Sequence, residues 1–363
     1  MDERFFRVPS GCGVCGIMSK NGQLFSGEKI VKSMCNMIER GNGLGSGFAG
    51  YGIYPEFHDN WCFHVMYNSK KNIEIVEKYL KESFDIIHSE PIPTKNGKKF
   101  KFVPILHRYF LKIKQEKFNN KMDDFSEDDL IVNAVMFINR NIEDAFIFSS
   151  GKNMGIFKGV GNPDEIGDFY KIYEYKGYLW TAHNRFPTNT VAWWGGAHPF
   201  GILDWAVVHN GEISSYGINR RYLENFGYYC TLFTDTEVIT YLFDLLHRKH
   251  KIDFETIGKI LASPFWFQID RIKDENYKNY LKMLRIIYGP ALINGPFAII
   301  VTNSEYMIGL NDRIKLRPLV AGEDENFYYL SSEEAAIRII NNNLKVYQVD
   351  AGKPFIFKVK WQS

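Results

Sequence analysis

A cysteine lies close to the start of the chain, in the run Cys12-Gly13-Val14-Cys15-Gly16-Ile17. One cleavage after Gly11 would make Cys12 the first residue, so that a thiol nucleophile and a free α-amino group would share one residue. The ordinary pKa of an α-amino group is about 7.7–8.0, so part of it is free base at neutral pH and can activate the thiol without a histidine. We therefore expect residues 1–11 to be a leader that is removed.

The spacing of Cys12 and Cys15 is also that of a redox pair or of half a zinc site. A tetrahedral zinc site would need a second pair of ligands. The other cysteines, Cys35, Cys62 and Cys230, are scattered and do not supply such a pair. The redox pair remains an alternative to the nucleophile, and it predicts a labile disulfide between Cys12 and Cys15.

Arg185 stands where a predicted strand runs into a loop, two residues before Pro187. The planar guanidinium of arginine suits a carboxylate, which it can bind through two parallel hydrogen bonds. An ordinary surface arginine would fit the same position, so Arg185 indicates a binding site only in combination with the other candidate residues.

Asn210-Gly211 lies between apolar runs, a pattern typical of a tight hairpin turn. Such a turn could also direct the Asn210 amide and the Gly211 N–H at one point, which is what an oxyanion hole requires. Farther on, Asp235 begins a predicted helix within Thr234-Asp-Thr-Glu237, a capping-box pattern. A carboxylate at that position could equally hold a substrate ammonium, and the residues alone leave both interpretations open.

The elements that must position these residues are strands and a few long helices without a steady βαβ rhythm, which favours an α+β layered sandwich. Helical spacing is predicted over 28–38, 73–87, 128–138 and 234–248. Strands are predicted over 12–18, 62–67, 146–149, 154–158, 169–175, 178–183, 205–209, 297–302, 306–310, 327–331 and 345–349.

Composition narrows the classes of protein. Lys+Arg 44 against Asp+Glu 42 gives a net charge of +2 without a basic stripe, which argues against a nucleic-acid partner. No apolar run approaches the roughly 18 residues of a membrane span, so we expect no membrane association. Five scattered cysteines in a chain of 363 residues indicate reduced thiols and a cytoplasmic location.

Taken in order, these segments resemble the class II glutamine amidotransferases, whose nucleophile is N-terminal, and most of all the glutaminase domain of glutamate synthase. The resemblance depends on the following runs: Cys12-Gly-Val-x-Gly-Ile17, His183-x-Arg-Phe-x-Thr-Asn-Thr190, His209-Asn-Gly-Glu-Ile213, Thr234-Asp-Thr-Glu237, Gly295-Pro-Phe-Ala-Ile299 and Leu316-Arg-Pro318.

The resemblance implies a four-layer αββα sandwich and a role for each candidate residue. Cys12 would be the nucleophile, and Asn210 and Gly211 would be the oxyanion donors. Arg185 would bind the α-carboxylate of L-glutamine with help from Thr188, and Asp235 would bind its α-ammonium group. Cys15-Gly16-Ile17 also looks like a family start, so Cys15 is a rival nucleophile.

The chain departs from the family pattern in places. Glu39-Arg40-Gly41 replaces the usual His-Arg-Gly, and residues 55 to about 145 match poorly. We expect residues 12–363 to form a single glutaminase domain that carries an insert at about 55–145.

The sequence contains no GxGxxG that opens a βαβ unit and no four-cysteine cluster, so we expect no cofactor in this chain. The resemblance implies that FMN and iron–sulfur clusters belong to a separate synthase subunit that receives the ammonia. Two alternatives remain: a glutaminase for another acceptor, for which only the 55–145 insert has room, and a non-catalytic regulatory subunit of the same fold.

Overall fold

The computed structural model describes residues 11–117, 126–186 and 192–361. A seven-stranded antiparallel sheet contains the start of the described chain: β1 (Gly13–Ser19), β3 (Ser46–Tyr51), β8 (Met154–Gly159), β10 (Leu179–Asn184), β15 (Val320–Glu323), β16 (Phe327–Ser331) and β17 (Lys345–Gln348). The strands lie side by side in the order β17-β15-β16-β1-β10-β3-β8. β1 is therefore central, which explains why all seven of its residues are buried.

A second antiparallel sheet packs face to face on the first. Its neighbouring strands are β11 (Phe200–Ile202), β12 (Trp205–Gly211), β13 (Phe297–Thr302), β14 (Tyr306–Asn311) and β18 (Phe355–Lys358). At Gly16 in β1, a Cβ atom would lie 2.6 Å from Sδ of Met307 in β14. The missing side chain thus lets the two sheets approach closely at that point.

Helices cover the outer faces of both sheets. On the first sheet lie α1 (Glu28–Cys35), α4 (Pro163–Phe169) and α10 (Glu334–Arg338). On the second lie α6 (Asp235–Phe243), which contacts β11 and β12, and around it α5 (Tyr216–Glu224), α7 (Phe254–Leu261), α8 (Trp266–Asp270) and α9 (Glu275–Ile287). The order helix, sheet, sheet, helix confirms the predicted αββα sandwich.

Residues 61–149 contain a third sheet. Its strands are β4 (Trp61–Tyr67), β5 (Phe84–Pro91), β6 (Ile105–Ile113) and β7 (Ala145–Ser149), in the order β5-β6-β4-β7, together with α2 (Lys71–Ser83) and α3 (Glu127–Asn141). A short pair, β2 (Phe25–Ser26) and β9 (Lys176–Gly177), and a π-helical turn at Asp244–Lys249 complete the elements named here. The third sheet occupies most of the segment where the sequence motifs are absent.

Several predicted elements differ from the structure. The helix predicted over 28–38 ends at Cys35, and the α-helix predicted over 234–248 ends at Phe243. The helix predicted over 73–87 ends at Ser83, because Phe84 adopts extended backbone and begins β5. The strand predicted over 169–175 is wrong: α4 ends at Phe169 and a 3₁₀ turn follows at Ile172–Glu174. Helix α4 begins with a capping box, in which the Glu165 carboxylate accepts the Asn162 N–H at 2.9 Å, and the sequence analysis did not recognise this start.

Candidate active site

The predicted site residues lie where strand ends and one helix start meet. Gly13 at the beginning of β1 pairs with Asn184 at the end of β10. This antiparallel register brings Cys12, just before β1, next to Arg185, just after β10. The end of β12 and the first turn of α6 lie across from them, in the second sheet and its covering helix.

A cavity of about 530 Å³ opens at this junction. Four of the predicted residues line it: Cys12, Arg185, Gly211 and Asp235. The remaining wall consists of Phe186, His198, His209, Glu212, Ile213, Ser214, Tyr216, Phe233, Thr234, Gly295 and Pro296. The volume is in the range of small-molecule sites.

The Cys12 thiol is half-buried, and the backbone N–H of Phe186 donates to its Sγ at 3.3 Å. Burial raises the pKa of this thiol, while the Phe186 contact and the positive charge of Arg185 act to lower it. The negative charge of the Asp235 carboxylate raises the pKa of the thiol further. Because the net shift is upward, the thiol is protonated at neutral pH and needs a base to act as a nucleophile.

Cys15 occupies a different environment. It lies within β1 on the side facing α1, fully buried, with its thiol 3.1 Å from the hydroxyl of Ser33. Burial raises the pKa of the Cys15 thiol to about 12. Its side chain is not among those that line the cavity, so the structure separates the two cysteines: Cys12 at the cavity, Cys15 in the core.

The Asn210 side chain is 1% exposed, and neither atom of its amide has a hydrogen-bond partner within the described ranges. A Cβ atom on Gly11 would lie 3.7 Å from Asn210 Oδ1, which places the amide beside the peptide that leads into Cys12. A buried polar group without a partner costs about 1–3 kcal/mol, so this amide is suited to a ligand that supplies the missing hydrogen bond.

Gly211 follows Asn210 and adopts an unusual backbone conformation, with a φ of +151°. A Cβ atom there would lie 2.0 Å from the carbonyl oxygen of Pro296. Only glycine fits. The predicted hairpin turn at Asn210-Gly211 is wrong, because both residues belong to the end of β12 and pair with Ala298 and Phe297 of β13.

Asp235 is the first residue of α6, as predicted. Its Oδ2 accepts the N–H of Ile213 at 3.0 Å, and its Oδ1 lies 3.7 Å from Nδ1 of His209. Burial would raise the pKa of this carboxyl, but His209 and the Ile213 N–H together bring it below its ordinary value. Asp235 is therefore an anion on the cavity wall at neutral pH.

The capping box predicted at Thr234-x-x-Glu237 does not form. Thr234 makes no side-chain cap hydrogen bond. The Glu237 carboxylate turns back instead and accepts the N–H groups of Thr231 and Leu232 at 3.0 and 2.9 Å. The Thr234 hydroxyl is buried at the cavity without a partner among the residues that the structure describes.

Arg185 lies between two loops. Its backbone N–H donates to Gly45 O at 2.8 Å, and a Cβ atom on Gly196 would lie 3.4 Å from its Nη1. Burial lowers the pKa of its guanidinium, opposed by the nearby Cys12 and Asp235. Thr188, the predicted second contact of the carboxylate, lies in 187–191, outside the described residues.

Sequence reasoning missed a group of buried histidines behind the cavity. The rings of His183 and His198 stack with centroids 4.0 Å apart. The Thr236 hydroxyl lies 3.2 Å from His209 Nδ1 and 3.3 Å from His198 Nε2. His183 and His209 were named only as parts of motifs, and His198 follows Ala197 in a segment that offered no spacing signal.

Lys158 was also missed. It is the second-last residue of β8 and is fully buried. Its ammonium donates to the carbonyl of Gly195 at 2.9 Å and lies 4.1 Å from the centroid of the Phe200 ring. Burial lowers the pKa of Lys158 to about 7. Its partner Gly195 belongs to the turn that packs beside Arg185.

A larger cavity, about 770 Å³, lies at the opposite end of β12, around Trp61, Trp205 and Arg248. None of the predicted site residues lines it. Within the described ranges, no group of three or more His, Cys, Asp or Glu is arranged to hold a metal ion. In those same ranges, no helix has the length and apolar character needed to cross a membrane.

Comparison with known proteins agrees with the geometry. The family model described as class-II glutamine amidotransferases matches residues 65–227, which include Arg185, Asn210 and Gly211. The match also runs through the third sheet, where the sequence motifs are absent.

Two relatives align over nearly the whole chain. An uncharacterized protein of Archaeoglobus fulgidus is 49% identical over 353 residues, which cover 96% of this chain and 92% of the relative. A Methanothermobacter thermautotrophicus protein, provisionally described as a glutamine amidotransferase, is 24% identical over 96% of this chain and all of its own length.

Among solved structures, the glutamine phosphoribosylpyrophosphate amidotransferase of B. subtilis aligns with a TM-score of 0.47 at 16% identity. The alignment covers 96% of this chain and 47% of that protein, so the present chain spans about half its length. On the family match and the full-length relatives, the chain belongs to the class II glutamine amidotransferases and is a glutamine-dependent amidotransferase.

Proposed function

We propose that the chain is a glutaminase subunit in which Cys12, once it is the first residue, hydrolyses L-glutamine to glutamate and ammonia. The observation that carries the proposal is that a thiol, a guanidinium and a carboxylate line one cavity, beside a buried amide that has no hydrogen-bond partner among the described residues. Each of these groups matches one feature of glutamine or of its hydrolysis.

Arg185 and Asp235 complement the two charges of an α-amino acid. The guanidinium would bind the α-carboxylate through paired hydrogen bonds, and the carboxylate of Asp235 would bind the α-ammonium group. Thr188 would add a contact to the α-carboxylate. Because Asp235 is ionised at neutral pH, this pair selects a zwitterion over a simple amide.

In the first half of the reaction, the thiol proton passes to the α-amino group and Sγ bonds to the side-chain carbonyl carbon of glutamine. The oxyanion that forms would be held by Asn210 Nδ2 and the Gly211 N–H. The carbon–nitrogen bond then breaks, and ammonia leaves with the proton. Water adds to the remaining thioester, the carbon–sulfur bond breaks, and glutamate and free thiol are released.

The base in this scheme exists only after cleavage of the bond between Gly11 and Cys12. Until then the nitrogen of Cys12 is an amide and cannot accept the thiol proton. The precursor is therefore inactive. The raised pKa of the Cys12 thiol supports this dependence, since it keeps the thiol protonated at neutral pH until a base accepts the proton.

The ammonia would pass to a separate synthase chain, for which a glutamate synthase subunit with FMN and iron–sulfur clusters is the proposed candidate. The support is the resemblance of the motifs around Cys12, Arg185 and Asn210 to the glutaminase domain of that enzyme. A sugar-phosphate acceptor is the alternative, since a Francisella tularensis relative named glutamine–fructose-6-phosphate aminotransferase is 26% identical over 55% of this chain.

Glutamate release from L-glutamine tests the proposal, with purified wild type, Cys12→Ala and Cys15→Ala, each checked by mass for its first residue. We expect the wild type and Cys15→Ala to be active and Cys12→Ala to be inactive. Activity that survives in Cys12→Ala and is lost in Cys15→Ala would move the nucleophile to Cys15. A pure wild type that begins at Cys12 and releases no glutamate would support the non-catalytic alternative.

A further inference from the structure

Two arginines lie beside the bond that joins Gly11 to Cys12. A Cβ atom on Gly11 would lie 3.5 Å from Nη1 of Arg317 and 3.5 Å from Nη2 of Arg40. Oδ1 of Asn210 would lie 3.7 Å from the same atom. The nitrogen of Cys12, which is the base in the proposed reaction, is two bonds away from the Cα atom of Gly11. Both guanidiniums are therefore neighbours of the atom that must accept the thiol proton.

Arg40 contacts both Cys12 and a carboxylate. It ends the 3₁₀ turn Ile38–Arg40, and its Nε donates to the carbonyl oxygen of Cys12 at 3.2 Å. Its Nη1 pairs with Oε1 of Glu333 at 2.7 Å. The positive charge of Arg40 is therefore offset in part by this ion pair.

Arg317 has no such counter-charge among the described residues. It lies between β14 and β15, and its Nε is buried without a hydrogen-bond partner in those ranges. In the same ranges no carboxylate oxygen lies within 4.0 Å of its guanidinium. The nearby carboxylate of Asp312 accepts the N–H groups of Phe297 and Leu316 instead. The positive charge of Arg317 also reaches Sγ of Cys12, where it acts to lower the pKa of the thiol.

The other charged groups at Cys12 oppose each other. Arg185 and Asp235 both line the cavity, and their opposite charges act in opposite directions on the pKa of the Cys12 thiol. His209 lies beside the Asp235 carboxylate, with Nδ1 3.7 Å from Oδ1. The charge that remains unbalanced beside the nitrogen of Cys12 is that of Arg317.

A positive charge near an amine disfavours its protonation. The ordinary pKa of an α-amino group is about 7.7–8.0, so only about a tenth to a fifth of it is free base at pH 7. A charge within about 4–6 Å shifts the pKa of a group by about 1–3 units. A decrease of about one unit would convert more than about half of the α-amino group to the free base at neutral pH.

We propose that Arg317, together with Arg40, keeps the α-amino group of mature Cys12 unprotonated at neutral pH, so that it can accept the thiol proton. The inference rests on the proposed function and names the residues that set the protonation state of its base. Neither arginine lines the cavity, so neither contacts the substrate there. Arg317 is a positioning residue, which acts on the reaction through the charge that it places beside the amine.

The test is the pH dependence of kcat/KM for glutamine, measured on purified chain whose first residue has been identified by mass. The midpoint of the acidic limb reports the protonation of the amine and the thiol as a pair. Arg317→Met keeps most of the side-chain length and removes the charge. We expect it to raise this midpoint by about one pH unit, which lowers kcat/KM about tenfold on the acidic limb. Well above the midpoint, kcat/KM should change little.

Arg317→Lys separates charge from structure. Lysine restores the positive charge, so the midpoint should return to within a few tenths of a pH unit of the wild-type value. A purely structural role predicts instead that both variants lose the same factor at every pH, with no shift of the midpoint. An unshifted midpoint in Arg317→Met would overturn the proposal.

Glu333→Gln tests the same account in the opposite direction and leaves Arg317 in place. Without the carboxylate, Arg40 loses its counter-charge, so the midpoint should move to lower pH. Glu334→Gln is the matched control: Glu334 pairs with Arg338 at 2.6 Å, and its loss should leave the midpoint unchanged. A midpoint that Glu333→Gln does not move would overturn the account even if Arg317→Met yields no mature chain.

A measurement that does not need turnover separates this inference from the proposed function. In protein labelled with ¹³C-cysteine, the NMR shift of the Cys12 Cα follows the protonation of its α-amino group. We expect this group to titrate at lower pH in the wild type than in Arg317→Met. A mature wild type that shows this difference and releases no glutamate would overturn the glutaminase alone. Equal titration in the two proteins, with glutamate released, would overturn the role of the arginines alone.

Discussion

The backbone N–H of Phe186 donates to Sγ of Cys12 at 3.3 Å, across 174 residues of sequence. Phe186 directly follows Arg185, so one short stretch of backbone both contacts the thiol and carries the guanidinium. The pairing of Gly13 with Asn184 fixes this arrangement, because the start of β1 and the end of β10 are held in register. The proposed nucleophile and the proposed carboxylate clamp are thus positioned by the same pair of strands.

Asn210→Ala should lower kcat for glutamine hydrolysis by about 10²–10³, the usual cost of one lost oxyanion donor. KM should change little, because the donor acts on charge that develops during the reaction. Steady-state kinetics with Asn342→Ala, at an exposed asparagine, provide the control. A loss of affinity with unchanged kcat would assign Asn210 to substrate binding instead.

Arg185→Lys should lower kcat/KM for glutamine about 10- to 100-fold, because lysine cannot make the paired hydrogen bonds of a guanidinium. The substrate analogue 4-aminobutanamide, which is glutamine without its carboxylate, separates the role of the arginine from a general disturbance. Wild type and variant should process it equally poorly. A variant that loses as much activity on the analogue as on glutamine would contradict the assignment.

Asp235→Asn should also lower kcat/KM for glutamine by about 10- to 100-fold, since an amide can still accept the Ile213 N–H but carries no charge for the substrate ammonium. The matching analogue is glutaric acid monoamide, which lacks the α-amino group. On that compound the variant should equal or exceed the wild type. Equal relative losses on both compounds would show that Asp235 acts through the structure alone.

Lys158→Met should raise KM for glutamine with a smaller effect on kcat. Methionine has a similar length, but it leaves the Gly195 carbonyl without its donor and frees the turn that packs against Arg185. Lys152→Met, at an exposed lysine, is the control. Kinetics at saturating and at limiting glutamine measure the changes in kcat and in KM separately. Equal changes in kcat and KM would argue against this positioning role.

Below pH 6.5 the fold should lose stability through its buried histidines. Burial lowers the pKa of His64 to about 3, so between pH 6.5 and 3 the unfolded chain binds a proton that the folded chain does not. Stability therefore falls as pH falls, by up to about 1.4 kcal/mol per pH unit for this residue. Urea unfolding of wild type and His64→Gln between pH 6.5 and 4 should show a shallower slope for the variant.

The proposed catalytic residues were predictable because each stands at the end of an element, where a motif interrupts the apolar pattern. Arg185 follows a strand and Asp235 begins a helix, and both positions could be read from the flanking residues. The four layers followed from the balance of strands and long helices together with the family resemblance. The motif Cys12-Gly-Val-x-Gly-Ile17 favours Cys12 over Cys15 as the nucleophile. The burial of Cys15 against Ser33 could not be predicted from the sequence, since it depends on how α1 packs on β1.

The features that the sequence did not predict correctly share one physical cause. Lys158 is the second-last residue of a short strand, where a lysine normally reaches solvent, but the turn at Gly195 and the Phe200 ring cover it. Asn210-Gly211 has the composition of a hairpin turn, but pairing with β13 keeps it extended. Glu237 has the spacing of a capping box, yet the loop before the helix supplies better donors at Thr231 and Leu232. In each case contacts with residues outside the local pattern override a local preference.

The central claim is that Cys12 becomes the N-terminal residue and carries the reaction. The most direct test is the intact mass and N-terminal sequence of the protein purified from its own cells. The account predicts a chain that begins at Cys12. A chain that still begins at Met1 or Asp2, and that nevertheless hydrolyses glutamine, would contradict it, because neither cysteine would then possess a free α-amino group.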